Sequence, residues 1–226
     1  MITELEQLEL TKYGLALHTT TPELGLAISN FTGDTRSGVW HLERQLSSHL
    51  HQYLVEFIQP QTWADLSFIA VAKGPGGFTG TRIGVVTART LGQQLDIPVF
   101  AISTLAAVAW SAYSDQYPPS LSMGLGDNIA IQMPAQRGQV FTAIYQPTPD
   151  TRGLNALFPD TVLTPEAWQE KLAHWNTSYQ LIEAKSGLAG TVTSILELAY
   201  LEWLCRKRPD WSEALPYYGQ NPVDPR

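Results

Sequence analysis

Thiol is almost absent from this chain: Cys205 is the one cysteine in 226 residues. That excludes an internal disulfide framework and any zinc site built from several thiolates. Charge is scarce as well. Asp, Glu, Lys and Arg make up 15% of the residues, and 14 Lys and Arg face 21 Asp and Glu, a formal net charge of −7. So few cations argue against a stand-alone nucleic-acid binder, because phosphate contacts need a basic surface. Long apolar runs are missing too. The longest, such as 104–113, fall well short of the ~20 residues a membrane span takes. The first ten residues are acidic and alternating, without the basic start and apolar core of a signal peptide. No membrane association and a cytoplasmic location are the expectation, and a lone thiol fits a reducing compartment.

What is present is a substantial apolar inventory: 44% hydrophobic residues, with 7 Trp, 9 Tyr and 7 Phe, too much for a disordered chain. Short apolar runs over 13–19, 24–30 and 38–42 read as strands. Leu46, Leu50, Tyr53, Leu54 and Phe57 then fall at helical spacing, giving an amphipathic helix over about 44–58. A buried strand follows at 66–72, a glycine-rich turn at 73–80, a helix at 81–95, a strand at 98–102 and a helix at 103–113. The first half therefore runs β-β-β-α-β-α-β-α. Residues 114–127, with Pro118-Pro119 and two glycines, read as a linker. Beyond it come strands at 128–133, 139–146 and 161–163, a helix capped by Thr164-Pro165, a strand at 179–183 and an apolar helix over 191–206. The second half is a shortened copy of the first in order, though not in sequence.

The most specific stretch is Gly74-Pro-Gly-Gly-Phe-Thr-Gly-Thr-Arg-Ile-Gly84, between a strand and a helix. Backbone N–H groups and the helix dipole favour an anion there. No Gly-Lys-Ser/Thr follows, so it is not a P-loop. The glycine spacing and the lack of a following acidic residue also rule out a dinucleotide fingerprint. A tight turn with Thr79 or Thr81 capping the helix accounts for it equally well. Within that helix Gly80, Gly84, Ala88 and Gly92 recur every four residues on one side. Interior glycines cost roughly 0.5–1 kcal/mol each, so this stripe marks a close contact. Two partners are open: the chain's own sheet or neighbouring helix, or a second protein. In the second case a leucine at Gly84 would block association and spare the fold.

These residues closely resemble the GPGSFTGxRIG signature of the TsaB (YeaZ) family. Ser103-Thr-Leu105, Gly138-Gln-Val-Phe141 and Pro216-Tyr-Tyr218 are similar to further family segments in the same order, and together they span most of the chain. The resemblance implies an α/β, actin-like fold of the sugar-kinase and Hsp70 type (ASKHA, ribonuclease-H-like). It has two related lobes with mixed sheets, the first over 11–113, then the 114–127 linker, then a smaller, degenerate lobe over 128–226. It implies a non-catalytic partner of TsaD, the subunit that transfers a threonylcarbamoyl group to an adenosine beside the tRNA anticodon, joined by the ATPase TsaE. It also implies a homodimer when alone, tRNA contacted only indirectly, and ATP and Mg²⁺ used by the complex rather than held by this chain. Gly80, Arg82, Gly84, Ala88 and Gly92, with His49 and Gln52 on the preceding helix, would form the interface. Thr19, Thr20, Gly74, Gly76, Gly77 and Thr79 would be a degenerate phosphate loop.

Departures from the family pattern bear on chemistry. The first strand ends in His18-Thr19 where the family has Asp-Thr, Pro134 replaces a second aspartate, and Gln220 stands where the tail arginine belongs. Phosphoryl transfer on this fold needs a carboxylate at the strand-one loop to hold Mg²⁺, and threonines do not supply that charge. The alternative, a stand-alone small ATPase or kinase, is disfavoured on this ground. No metal is expected: His49 and His51, two apart on a helix, point roughly 200° from each other. His18 reads as structural and Cys205 as core packing.

Overall fold

The computed structural model describes residues 7–116, 128–148 and 153–220. Tyr13–His18 (β1), Glu23–Ser29 (β2) and Thr35–His41 (β3) form an antiparallel meander. Leu66–Ala72 (β4) and Val99–Ile102 (β5) add parallel strands beside β1, giving the order β3-β2-β1-β4-β5. The parallel strands are continuous apolar runs because helices cover both their faces. Leu46–Ile58 (α1) and Phe78–Leu95 (α2) lie on one face, over Leu15, Leu17, Leu24 and Leu26.

The second sheet repeats the plan. Asn128–Pro134 (β6), Val140–Thr148 (β7) and Gly153–Leu163 (β8) form the meander, and Tyr179–Glu183 (β9) pairs parallel with β6. Its order, β8-β7-β6-β9, matches β3-β2-β1-β4 in sequence and direction, with no fifth strand among the described residues. This twice-used ribonuclease-H-like order is the actin-like arrangement that the sequence implied. Pro165–Ala173 (α4) covers the outer face through Trp168 and Leu172, capped by Thr164, whose side chain accepts a hydrogen bond from the Ala167 N–H.

Two helices fill the space between the sheets. Thr104–Gln116 (α3) places Leu105, Val108 and Ala109 against the second sheet. Val192–Leu204 (α5) packs Ile195, Leu196 and Ala199 on the first sheet, against Ala16, Phe68 and Ala70. The division of the sequence at 114–127 had placed this last helix in the second lobe. Its apolar residues point in most directions, so it needs a buried position, and the first sheet supplies it. α3 runs on to Gln116, into the expected linker, and 117–127 lies outside the described residues.

Three further expectations change. β8 is 11 residues long rather than three: Pro159 and Asp160 break its apolar pattern, but an edge strand tolerates proline. Cys205 is exposed, because α5 ends at Leu204 and Arg206 turns the chain outward with φ 62°. α2 begins at Phe78, and its cap is Gly77 with no side-chain hydrogen bond, so neither Thr79 nor Thr81 caps it. Instead the Thr81 hydroxyl donates back to the Gly77 carbonyl at 2.8 Å.

The small-residue stripe faces inward. A Cβ on Gly80 would strike the Thr19 carbonyl oxygen, one on Gly84 the Thr19 hydroxyl, and one on Gly92 a Val99 methyl. Ala88 is fully buried in the same core. The stripe therefore holds α2 against the chain's own strands and is not available to a second protein, and leucine at Gly84 would damage the fold. Because Gly80 meets backbone, which cannot rotate away, Gly80→Ala is expected to destabilise by about 2 kcal/mol. That corresponds to a drop of about 5 °C in Tm. Thr90→Ala, on the exposed side of α2, should stay within about 0.5 kcal/mol of wild type. Thermal melts of the two variants check the contrast.

Candidate functional site

Because β1 and β6 occupy equivalent places in the two sheets, the loops that follow them meet. Thr19–Pro22 after β1 and the Met133–Gln136 segment at the end of β6 line one interlobe cleft of about 1140 Å³. The start of α2 lines it as well, bringing the positive end of that helix dipole to the cleft. Of the expected phosphate-loop residues, Thr19, Thr20, Gly76, Gly77 and Thr79 all lie on this cleft. Gly74 lies behind it, with φ at +103° and its absent side chain replaced by the Tyr217 carbonyl. Its own carbonyl accepts from the Thr104 N–H at 2.9 Å.

Several loop groups bond to each other, while the buried Thr21 hydroxyl has no partner. The Gly77 N–H donates to the Thr20 carbonyl at 2.7 Å. The Thr19 hydroxyl donates to the Gly80 carbonyl at 2.8 Å, and the Thr20 and Thr104 hydroxyls share a buried bond at 3.2 Å. Among the described residues Glu43 is the one carboxylate on the cleft, opposed by Arg44 and Lys185. A Mg²⁺–nucleotide needs carboxylate or water-bridged carboxylate ligands and open amides around its phosphates. This donor set does not fit that group, and no phosphoryl-transfer step follows from it.

His18 occupies the place where a metal-binding aspartate was expected. It is fully buried at the end of β1, and neither ring nitrogen has a hydrogen-bond partner. Desolvation lowers its pKa to about 3, so it is a neutral ring throughout the physiological range. A neutral, enclosed imidazole here packs in the core and brings no charge to the cleft.

Sequence reasoning missed two features. Phe78 and Tyr218, both lining the cleft, pack in a tilted pair with ring centroids 4.3 Å apart. Gln220, at the position of the family arginine, clamps the turn between β6 and β7. Its amide nitrogen donates to the Gln136 carbonyl at 3.1 Å and to Gln139 Oε1 at 2.6 Å, and its Oε1 accepts from the Gln136 N–H at 3.1 Å. The aromatic pair carried no signal, because its members lie 140 residues apart in the numbering.

The remaining expected interface residues are on the outer side of the α1–α2 layer. Arg82 and Gln52 are exposed and His49 is half-buried. His49 Nδ1 lies 2.9 Å from the Ser48 hydroxyl and 3.2 Å from the Gln45 carbonyl. Two valines accompany them in water: Val55 on α1 is 52% exposed and Val86 on α2 is 53% exposed.

Comparison with known proteins adds the following. The family model described as "TsaD: tRNA N6-adenosine threonylcarbamoyltransferase" matches residues 43–146. A Bacillus subtilis "tRNA threonylcarbamoyladenosine biosynthesis protein TsaB" is 45% identical over 82 residues, 36% of this chain and 31% of that protein. A TsaB from Buchnera aphidicola of Acyrthosiphon pisum is 26% identical over 66% of this chain and 60% of its own length. The matched segments thus span from about a third to three-fifths of these relatives. Among solved structures, "YeaZ from Pseudomonas aeruginosa" superposes with a TM-score of 0.71 at 22% identity, covering 92% of this chain and 99% of that one. A second structure, described as having similarity to peptidase YeaZ from that organism, gives a TM-score of 0.72 at 23% identity, over 92% of this chain and all of the other. The fold is the one those structures share.

The buried imidazole has a measurable consequence. Its folded pKa of about 3 lies below the unfolded value of 6.5. The unfolded chain therefore takes up a proton that the folded chain refuses. Stability is complete above pH 6.5 and falls by about 1.4 kcal/mol per pH unit as pH drops towards 3. His18→Leu should remove this part of the slope. Urea midpoints at pH 7, 6 and 5 for the two proteins test it, and parallel curves would refute it.

Proposed function

We propose that this chain belongs to the TsaB family and is an accessory subunit in tRNA threonylcarbamoyladenosine formation that performs no chemistry of its own. In this reading it pairs with a TsaD-like catalytic subunit, and with a second copy of itself when alone. A TsaE-like ATPase brings ATP and Mg²⁺ to the complex. The tRNA lies on the catalytic or composite surface, in keeping with a net charge of −7. A cytoplasmic location fits this role, and no described helix is long and apolar enough to cross a membrane.

The observation that carries the reading is the cleft. At both strand-end loops where an actin-like enzyme holds Mg²⁺–nucleotide, this chain offers His18, threonines and Pro134 and no carboxylate, and the Thr19 hydroxyl and Thr20 carbonyl are bonded to Gly80 and Gly77. What it does offer is the outer face of α1 and α2, with Val55, Val86, Arg82 and Gln52. Two exposed valines on one helical layer, with an arginine beside them, resemble the apolar core and rim of an interface. The match to the TsaD family also runs through both helices. Related lobes facing each other across one such layer would make a pseudo-symmetric pair.

Co-purification with a TsaD-like protein, with and without a TsaE-like ATPase and ATP, tests the proposal. The wild-type chain is expected to form the complex. Val86→Glu and Val55→Glu, both at exposed positions, should leave the melting temperature within about 2 °C and weaken association about tenfold or more. Complex formation unchanged in both variants would overturn the interface. Tight Mg²⁺–ATP binding or hydrolysis by the isolated chain would overturn the accessory role in favour of a stand-alone ATPase.

A further inference from the structure

A second cavity, of about 650 Å³, shares no lining residue with the interlobe cleft. Asp160 of β8 is on its wall. The Asp160 carboxylate accepts a 2.6 Å hydrogen bond from the Tyr145 hydroxyl, which also lies 3.3 Å from the Ser103 hydroxyl. The Tyr217 hydroxyl donates to the Asp160 carbonyl at 2.7 Å. Lys73, at the end of β4, also lines the cavity, and its positive charge acts on Asp160. Burial raises the Asp160 pKa, and the bonds from Ser103 and Tyr145 and the Lys73 charge oppose that rise. On the rim, Lys207 and Glu202 satisfy one another at 3.5 Å.

Ile102, Leu154, Leu198 and Leu201 give the wall an aliphatic part, beside Thr148 and Cys205. The cavity therefore has a carboxylate and an ammonium on its wall, together with an aliphatic surface. Its volume is within the range of small-molecule sites. A buried charge is stabilised only by an opposite charge or hydrogen bonds. A ligand with one charge alone would attract one of the pair and repel the other. A zwitterion satisfies both, its ammonium on Asp160 and its carboxylate on Lys73.

We propose that this cavity binds a free α-amino acid with an aliphatic side chain, held by Asp160 and Lys73 at its charged groups and by Leu198 and Leu201 along its body. Lys73 and Ser103 belong to the first sheet's side and Tyr145 and Asp160 to the second. An amino acid held there links the two lobes and supports their relative orientation.

The test uses the full chain and three probes: L-leucine, 3-methylbutylamine, which keeps only the cation, and 4-methylpentanoate, which keeps only the anion. L-leucine should bind saturably by calorimetry and raise Tm by about 5–10 °C at 100 times its Kd. The two single-charge probes should bind about tenfold more weakly or worse. Asp160→Asn and Lys73→Met should each lose about tenfold or more in leucine affinity. If one variant does not fold, the other carries the comparison. The absence of saturable leucine binding to the wild-type chain, single-charge probes equal to leucine, or variants that bind as wild type would each overturn the site. The cluster would then be a structural tie between the lobes alone.

Discussion

The contact between Thr19 and the Gly80–Gly84 turn of α2 organises the centre of this molecule. At these two positions no side chain can be accommodated, because a Cβ would meet the Thr19 carbonyl or hydroxyl. The close approach brings the strand-one loop against the glycine-rich loop, so that Gly77 N–H reaches the Thr20 carbonyl and Thr19 hydroxyl reaches Gly80. Groups that elsewhere on such a fold would be turned towards a phosphate are here turned towards each other. The same contact fixes the rotation of α2, which decides that Val86 and Arg82 face water. The bonding of the strand-one loop to the glycine-rich loop and the display of the α1–α2 face are thus two results of one packing event.

Much of this was legible in the sequence, and the failures share a cause. Period-two and period-3.6 patterns located nearly every element, since each is set by which face meets a core. Periodicity shows that Gly80, Gly84, Ala88 and Gly92 share a side, but not what covers it. Here the covering surface is the chain's own strand-one loop and β5, so the intermolecular reading of the stripe fails while Arg82 and Gln52 keep their exposed place. Cys205 was misread for a similar reason: the apolar pattern ends one residue before it, at Leu204. The Asp160 cluster was invisible because Lys73, Ser103, Tyr145, Asp160 and Tyr217 are scattered over five segments. The one local hint was a charged residue interrupting an otherwise apolar strand.

The duplicated sheet order explains where the two lobes can differ. The first sheet is covered on both faces and carries parallel strands on its β4–β5 side. Among the described residues the second has no equivalent of β5, and a short helix, α4, covers its outer face through Trp168 and Leu172. Trp168 offsets the thinner cover by filling the space fully buried, with its indole N–H donated to Gln132 Oε1 at 2.9 Å.

The sharing of helices bears on motion. α3 carries alanines at 106, 107 and 109, which let it fit between two sheets, with Leu105, Val108 and Ala109 on the second and Ala107 on the first. It is pinned at its N-terminus by Thr104 to Gly74 and Thr20, and by Ser103 to Tyr145. Further along it Trp110 donates to Glu197 of α5 at 2.7 Å. Closing the cleft by rotating one lobe against the other would have to slide α3 over one sheet or break these pins. Packed interfaces resist such sliding and change by discrete steps rather than continuously. A two-lobed enzyme of this architecture benefits from closure around its substrate. A chain whose lobes are tied through a shared, pinned helix gives up that motion and gains a surface of fixed shape, as the proposed accessory role requires.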